Sequence, residues 1–348
     1  MNPWLGILLH AVGGLAAASF MIPFRKVRGW AWESYWLASG AAAWLAAPWI
    51  IALLTVPGLV DGLRSAPFSS MIWTYIFGLL WGVGGLTFGL TMRYLGLSLG
   101  YALVLGNTAA FGTIIPPVYF GKFSGLAAAT SGRVTLAGVL LGLIGIAVAG
   151  AAGMAKEKKL DAAEKKAAIR EFDFRKGFFI ALLSGVMSAC FAFGLASGKP
   201  IAEHAVAAGA PALWRNGAVF IVILAGGFTT NLVWCLLLFR KNKSGRNYTD
   251  RSTPILRNLL FSFLAGAIWY FQFMFYGMGT TKMGRYDFSS WSIHMTFIIV
   301  FSTLWGLLFR EWRGSNRKIY ALIGAAVVIL ILSTVVIGGG NFLASKGR

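Results

Sequence analysis

The chain is poor in the residue types from which active sites and metal centres are built: 348 residues carry 2 cysteines, 3 histidines and 11 acids. Cys190 and Cys235 lie in apolar runs without metal-ligand spacing, which excludes a disulfide framework or a thiolate zinc centre and leaves them as packing residues. No Cys/His or Asp/His pair in an apolar run has spacing suited to nucleophilic or metal chemistry, and Asp287 with His294 lacks a third ligand. An enzyme is therefore not expected. Nor is there an embedded cluster of Arg or Lys, which a phosphorylated or nucleotide substrate would need for neutralisation.

What is present is apolar: 57% hydrophobic residues against 12% charged. Ten windows hold no Asp, Glu, Lys or Arg: 1–24, 34–60, 65–92, 94–121, 134–155, 177–198, 216–239, 258–281, 288–309 and 319–345. Each is at least 22 residues long, and about 20 residues of helix cross a hydrocarbon core. Nearly every face of each window is apolar, so these are not half-exposed helices of a soluble core. The expected fold is an all-α integral membrane protein of ten transmembrane helices, with no room for a second soluble domain.

The net charge of +20 would suggest a nucleic-acid partner in a soluble protein. Here the positions of the charges account for it. Loops after the odd-numbered spans hold 22 of the 31 Lys and Arg, which places those loops in the cytoplasm and both termini in the periplasm. Arg25, Lys26 and Arg28 follow the first span and none precedes it, the reverse of a secretory signal peptide.

The stretch 156–176 is the longest charged segment, with Asp161 and Lys165 spaced for an i, i+4 pair. It reads as a cytoplasmic, solvated connector between 1–155 and 177–348, five spans each. The halves share short matches. Gly14, Ala18, Ser19 and Phe20 correspond to Gly185, Ala189, Cys190 and Phe191, while Gly78, Trp81, Gly89 and Gly96 correspond to Gly266, Trp269, Gly277 and Gly284. Five spans per half would insert the second copy upside down, the inverted-repeat plan of many alternating-access transporters. Glycine and aromatic residues also recur in membrane helices for packing alone, and packing is the default reading of the 44 glycines, including Gly138, Gly142 and Gly145.

Ionisable or polar groups inside spans are costly, so the few present are the candidates for function. Asp287, Trp291 and His294 are spaced i, i+4, i+7, with His294 roughly 13 Å inside the outer boundary. A carboxylate at the entrance and an imidazole below it form a proton path; helix capping by Asp287 and a structural hydrogen bond at His294 are the plainer alternatives. His10 lies at comparable depth, so the two imidazoles face each other if spans 1 and 9 adjoin; an interhelical hydrogen bond accounts for it equally. Trp269, Gln272, Phe273 and Tyr276 share one face of span 8, with Trp269 roughly 16 Å from the cytoplasmic end. Interfacial belts place Trp and Tyr near helix ends and do not explain such a stripe at mid-depth. Aromatic faces stack on the C–H side of a sugar ring, and amide and phenol groups exchange hydrogen bonds with its hydroxyls. Trp81, Asn107 and Thr108 fall at similar depth, so the substrate set is Trp81, Asn107, Trp269, Gln272, Tyr276 and Trp291. Helix packing with satisfied polar groups is the competing account.

These same stretches resemble the bacterial L-rhamnose/proton symporter family of the drug/metabolite transporter superfamily. The resemblance covers nearly the whole chain. It rests on Pro23 to Lys26 with Trp30, Trp32 and Glu33, on Gly89 to Gly96, on Lys199-Pro200, and on Trp269-Tyr270 followed by Gln272, Phe275 and Tyr276. Tyr286-Asp287, Ser290-Trp291, His294-Met295 and Glu311-Trp312 complete it. It implies ten helices in the inner membrane, no cofactor, and sugar uptake driven by the proton gradient. It gives Glu33 and Arg93 a gating role, although anchoring by interfacial charges fits the same positions. Asn107 stands where the enterobacterial members are expected to be aliphatic, which leaves fucose, another deoxysugar or a hexose open beside L-rhamnose. An exporter of metabolites or drugs from the same superfamily is the alternative function.

Overall fold

The computed structural model describes residues 2–119, 121–158 and 173–347, so most of the charged connector at 156–176 lies outside the described residues. The described residues form helices and no strand. In chain order these are α1 (Pro3–Ser19), α2 (Trp32–Gly40), a π-helical segment (Ala41–Ala46), α3 (Ala47–Thr55), α4 (Leu59–Ser65), α5 (Phe68–Tyr119), α6 (Phe123–Ala128) and α7 (Thr130–Glu157). Then follow α8 (Phe174–Ser197), α9 (Lys199–Ala207), α10 (Gly217–Asn242), α11 (Ile255–Met283), α12 (Ser289–Leu308) and α13 (Arg317–Ser345). Among the described residues nine helical stretches are long and apolar enough to cross a membrane, and Leu103–Tyr119 is a shorter apolar helix.

The windows 65–92 and 94–121 are joined by α5, whose 52 residues would measure about 78 Å if straight, more than twice a hydrocarbon core. Contacts with α8 show that it doubles back. The Ser184 hydroxyl donates to the Gly84 carbonyl at 2.8 Å, yet the next residue, Gly185, packs on Asn107. A straight helix would hold Gly84 and Asn107 about 35 Å apart. On the first arm, Leu95 meets Gly177 and Gly84 meets Ser188, so the arm runs antiparallel to α8; on the second, Val104 clusters with Ala181 and Asn107 meets Gly185, so it runs parallel.

The chain divides into two compact units, each drawn from both sequence halves. The first comprises Met1–Leu15, Gly84–Ala192 and Gly279–Arg348. Its seam is α7 against α13: Gly138 packs on Ile337, Gly142 on Ser333 and Gly145 on Leu330, an antiparallel register in which glycine permits close backbone approach. In the same unit Gly14 of α1 packs on Phe297 of α12, and Gly6 packs on Met283 of α11.

The second unit comprises Ala16–Val83 and Phe193–Met278. There Gly78 and Gly82 of α5 meet Ile223 and Thr230 of α10, so these helices run parallel, and Gly266 of α11 packs on the Ser39 carbonyl of α2. Large apolar side chains face outward on nearly every span, among them Leu8, Leu54, Leu140, Leu237, Leu260 and Leu308. The fully buried set, by contrast, includes His10, Ser34, Thr74, Thr113, Ser184, Asn258 and Thr296. Apolar outside with polar groups inside is the arrangement that hydrocarbon solvent selects.

Candidate functional site

In the first unit α1 and α12 bring the two embedded histidines together. His10 and His294 are 0% and 2% exposed, with ring centroids 6.1 Å apart and planes inclined by 65°. α11 completes the enclosure: a methyl group at Gly279 would sit 2.7 and 2.8 Å from His10 Cε1 and Nε2, so only glycine lets the backbone lie against the imidazole. Asp287 precedes α12 in an αR turn and is exposed, whereas Trp291 and His294 behind it are buried.

Trp291 is engaged with its neighbours. Its indole N–H donates to the Thr108 carbonyl at 3.0 Å, and its ring stacks on Phe191 at 5.6 Å. Gly112, one turn beyond Thr108, leaves the space that the indole fills. Asn107 is half-buried beside Gly185, and the Thr108 hydroxyl is buried without a hydrogen-bond partner among the described residues. The Arg93 side chain lies outside the described residues.

The second unit collects the aromatic candidates. Trp269 meets Phe20 at 4.3 Å and Phe273 at 5.9 Å, and Trp81 meets the same Phe273 edge-on at 5.4 Å, 89°. Trp81 lies over Gly227, where any side chain would strike its ring. Gln272 and Tyr276 on α11 are each 4% exposed, and the Gln272 amide nitrogen has no hydrogen-bond partner among the described residues.

Phe20, Trp36, Trp44 and Trp269 wall a cleft in this unit, with Ser39, Gly40 and Ala43 completing the lining. It has room for about one water molecule. Trp36 is fixed by donating to Asn231 Oδ1 at 3.0 Å, and Asn231 in turn donates to the Gly227 carbonyl at 2.9 Å. Trp44 sits in the π-helical turn and folds back over Gly40, where a methyl group would come 2.7 Å from the ring. Trp44, like Trp269, lies away from the interfacial ends of its span, near the middle of the charge-free window 34–60.

Glu33, 3% exposed in the first turn of α2, accepts hydrogen bonds from Asn242 Nδ2 at 3.0 Å and from the Ser244 hydroxyl. Around it, Asn247 Oδ1 accepts from the Ala31 N–H at 3.0 Å and the Tyr248 hydroxyl donates to the Ser34 carbonyl at 2.7 Å. Burial pushes the Tyr248 phenol up to about 12, so it remains a donor throughout the physiological range. This network ties the 3-10 turn Ser244–Tyr248 to the start of α2. Among the described residues no three His, Cys, Asp or Glu side chains group as metal ligands. Cys235 is buried, and Cys190 is buried with its thiol on the Val186 carbonyl at 3.6 Å.

Apolar spans that enclose imidazoles, indoles and an amide define a multi-pass membrane transporter. The chain belongs to the L-rhamnose-proton symport protein (RhaT) family, whose model matches residues 2–343. It is similar to the L-rhamnose-proton symporters of Cronobacter sakazakii (strain ATCC BAA-894) and Yersinia pestis (strain Pestoides F). Each is 36% identical over 340 residues, covering 97% of this chain and 97% of the relative.

Proposed function

We propose that this protein imports a neutral deoxysugar of the L-rhamnose type together with a proton across the bacterial inner membrane, by alternating access and without a cofactor or chemical conversion. Family membership supports the reaction, and the observation that carries the coupling is the buried pair His10 and His294. An ionised side chain in hydrocarbon is costly, so protonation of either ring favours a conformation that admits water or a compensating partner. Two imidazolium charges 6.1 Å apart would repel by about 3 kcal/mol at an effective dielectric constant of about 20. The pair therefore carries one proton at a time. Asp287, exposed ahead of α12, is its periplasmic entry group. Trp81, Trp269, Gln272 and Tyr276 of the second unit contact sugar; Asn107 is the sugar candidate of the first unit, its span held by Trp291 through the Thr108 carbonyl. Glu33 and Arg93 act at the cytoplasmic edge.

The proposed architecture is ten crossings in two inverted five-helix repeats, 1–155 and 177–348, joined by the cytoplasmic segment 156–176, with both termini periplasmic, as in the drug/metabolite transporter superfamily. Helix directions support it. α1 and α12 run parallel, which requires an even number of crossings from one to the other; counting the two arms of α5 separately meets that condition and counting α5 once does not. Matched glycines support the repeat. Gly78 and Gly266 each pack on a backbone carbonyl of the second helix of the opposite half, and Gly14 and Gly185 pack on the fourth helix of the opposite half.

Proteoliposomes with an imposed inward proton gradient should accumulate labelled L-rhamnose, and His294→Ala should abolish accumulation while leaving counterflow. Accumulation undiminished in that variant would remove the histidine pair from coupling.

A further inference from the structure

We propose that Trp44 is a sugar-binding residue: its indole N–H, with that of Trp269, donates to a ring hydroxyl of the transported sugar that enters the cleft of the second unit. The inference deepens the function proposed above and rests on it.

Both indole nitrogens are buried, and neither has a hydrogen-bond partner among the described residues. A buried indole N–H ordinarily finds an acceptor, because leaving the donor dry forfeits its hydration. Both indoles line one cleft, and a ligand reaching their donors there must bring an oxygen acceptor. The third indole of the cleft, Trp36, supplies the contrast, since its N–H is satisfied by Asn231.

The size and the walls of the cleft select the acceptor. Space for about one water is space for a hydroxyl group and too little for a whole pyranose. The surrounding rings of Phe20 and Trp36 suit the C–H bonds beside that hydroxyl. Among the described residues no Lys, Arg, Asp or Glu lines the cleft, which fits an uncharged ligand. Trp44 is held at this position by local backbone: the six-residue π-helical segment shifts its side chain relative to a regular helix, and Gly40 makes room for the ring. Such π turns occur frequently at functional sites.

The test keeps the rings and removes the donors. In proteoliposomes, Trp44→Phe and Trp269→Phe should each raise the counterflow KM for L-rhamnose about 10-fold, while Trp49→Phe, at an outward-facing indole, should leave it unchanged. Competition by monodeoxy analogues of L-rhamnose identifies the hydroxyl. The analogue lacking it should compete about 10-fold more weakly than L-rhamnose against the parent protein and equally with it against Trp44→Phe. An unchanged KM in Trp44→Phe, or the same ranking of analogues in parent and variant, overturns the proposal. Should Trp44→Phe fail to fold, as judged by gel filtration and thermal unfolding, the same analogue ranking in Trp269→Phe decides it. If the parent protein accumulates no L-rhamnose, the function itself is refuted; if it accumulates sugar and the variants match it, only this assignment falls.

Discussion

The two compact units bury different chemistry. The first encloses both embedded histidines and a seam of serine, threonine and glycine, with Trp291 hydrogen-bonded and stacked in place. The second encloses a connected set of rings, Phe20, Trp36, Trp44, Trp81, Trp269 and Phe273. Its histidine, His204, is only half-buried and bonds the Pro200 carbonyl one turn back in α9. Proton chemistry requires a group that changes charge, whereas sugar recognition requires flat apolar surface and fixed donors. The difference implies that coupling and affinity respond to separate sets of substitutions.

The largest effect should come from His294→Ala, with a loss of gradient-driven accumulation of at least tenfold and counterflow retained, measured in proteoliposomes at fixed sugar concentration. Gln272→Leu belongs to the other unit. It removes a buried amide of similar size, and should raise KM roughly 10-fold while the ratio of protons to sugar, read from simultaneous pH and tracer uptake, stays constant. A changed ratio in Gln272→Leu would break the division of labour.

Gly279→Ala sharpens the comparison from the other side. Its methyl group would press on His10, so the imidazole or α11 must shift, at a cost of about 1–3 kcal/mol in stability. The expected result is a several-fold fall in proton-driven uptake with little change in equilibrium sugar binding. The smallest functional effect should follow Glu33→Ala, which leaves Asn242 and Ser244 without their acceptor and costs about 1–3 kcal/mol. Thermal unfolding should occur a few degrees lower with KM and coupling intact; loss of coupling there would make Glu33 a gate rather than an anchor.

Much of this organisation is legible in the residue order. Long charge-free windows mark the spans because hydrocarbon excludes ionised side chains wherever they fall along a helix. The aromatic stripe on α11 follows from helical spacing alone, and the facing of His10 and His294, conditional on spans 1 and 9 adjoining, emerges in the packing of α1 against α12. Less legible is the reversal within α5, which depends on how both arms seat on α8. The π-helical turn is likewise invisible in Ala41–Ala46, because alanine, leucine and tryptophan there carry no local signal for i→i+5 bonding. Trp291 illustrates the same limit: nothing in its spacing reveals that its N–H would find the Thr108 carbonyl.

Composition and order along the chain thus settle that the protein lives in a bilayer and which side chains are worth explaining, since the free energy of moving a residue from water to hydrocarbon is a property of that residue. Partnership is a property of three-dimensional packing. Which imidazoles meet, which indoles are satisfied and which face a cleft depend on where glycines let helices close to contact, and residues distant in the chain come together there.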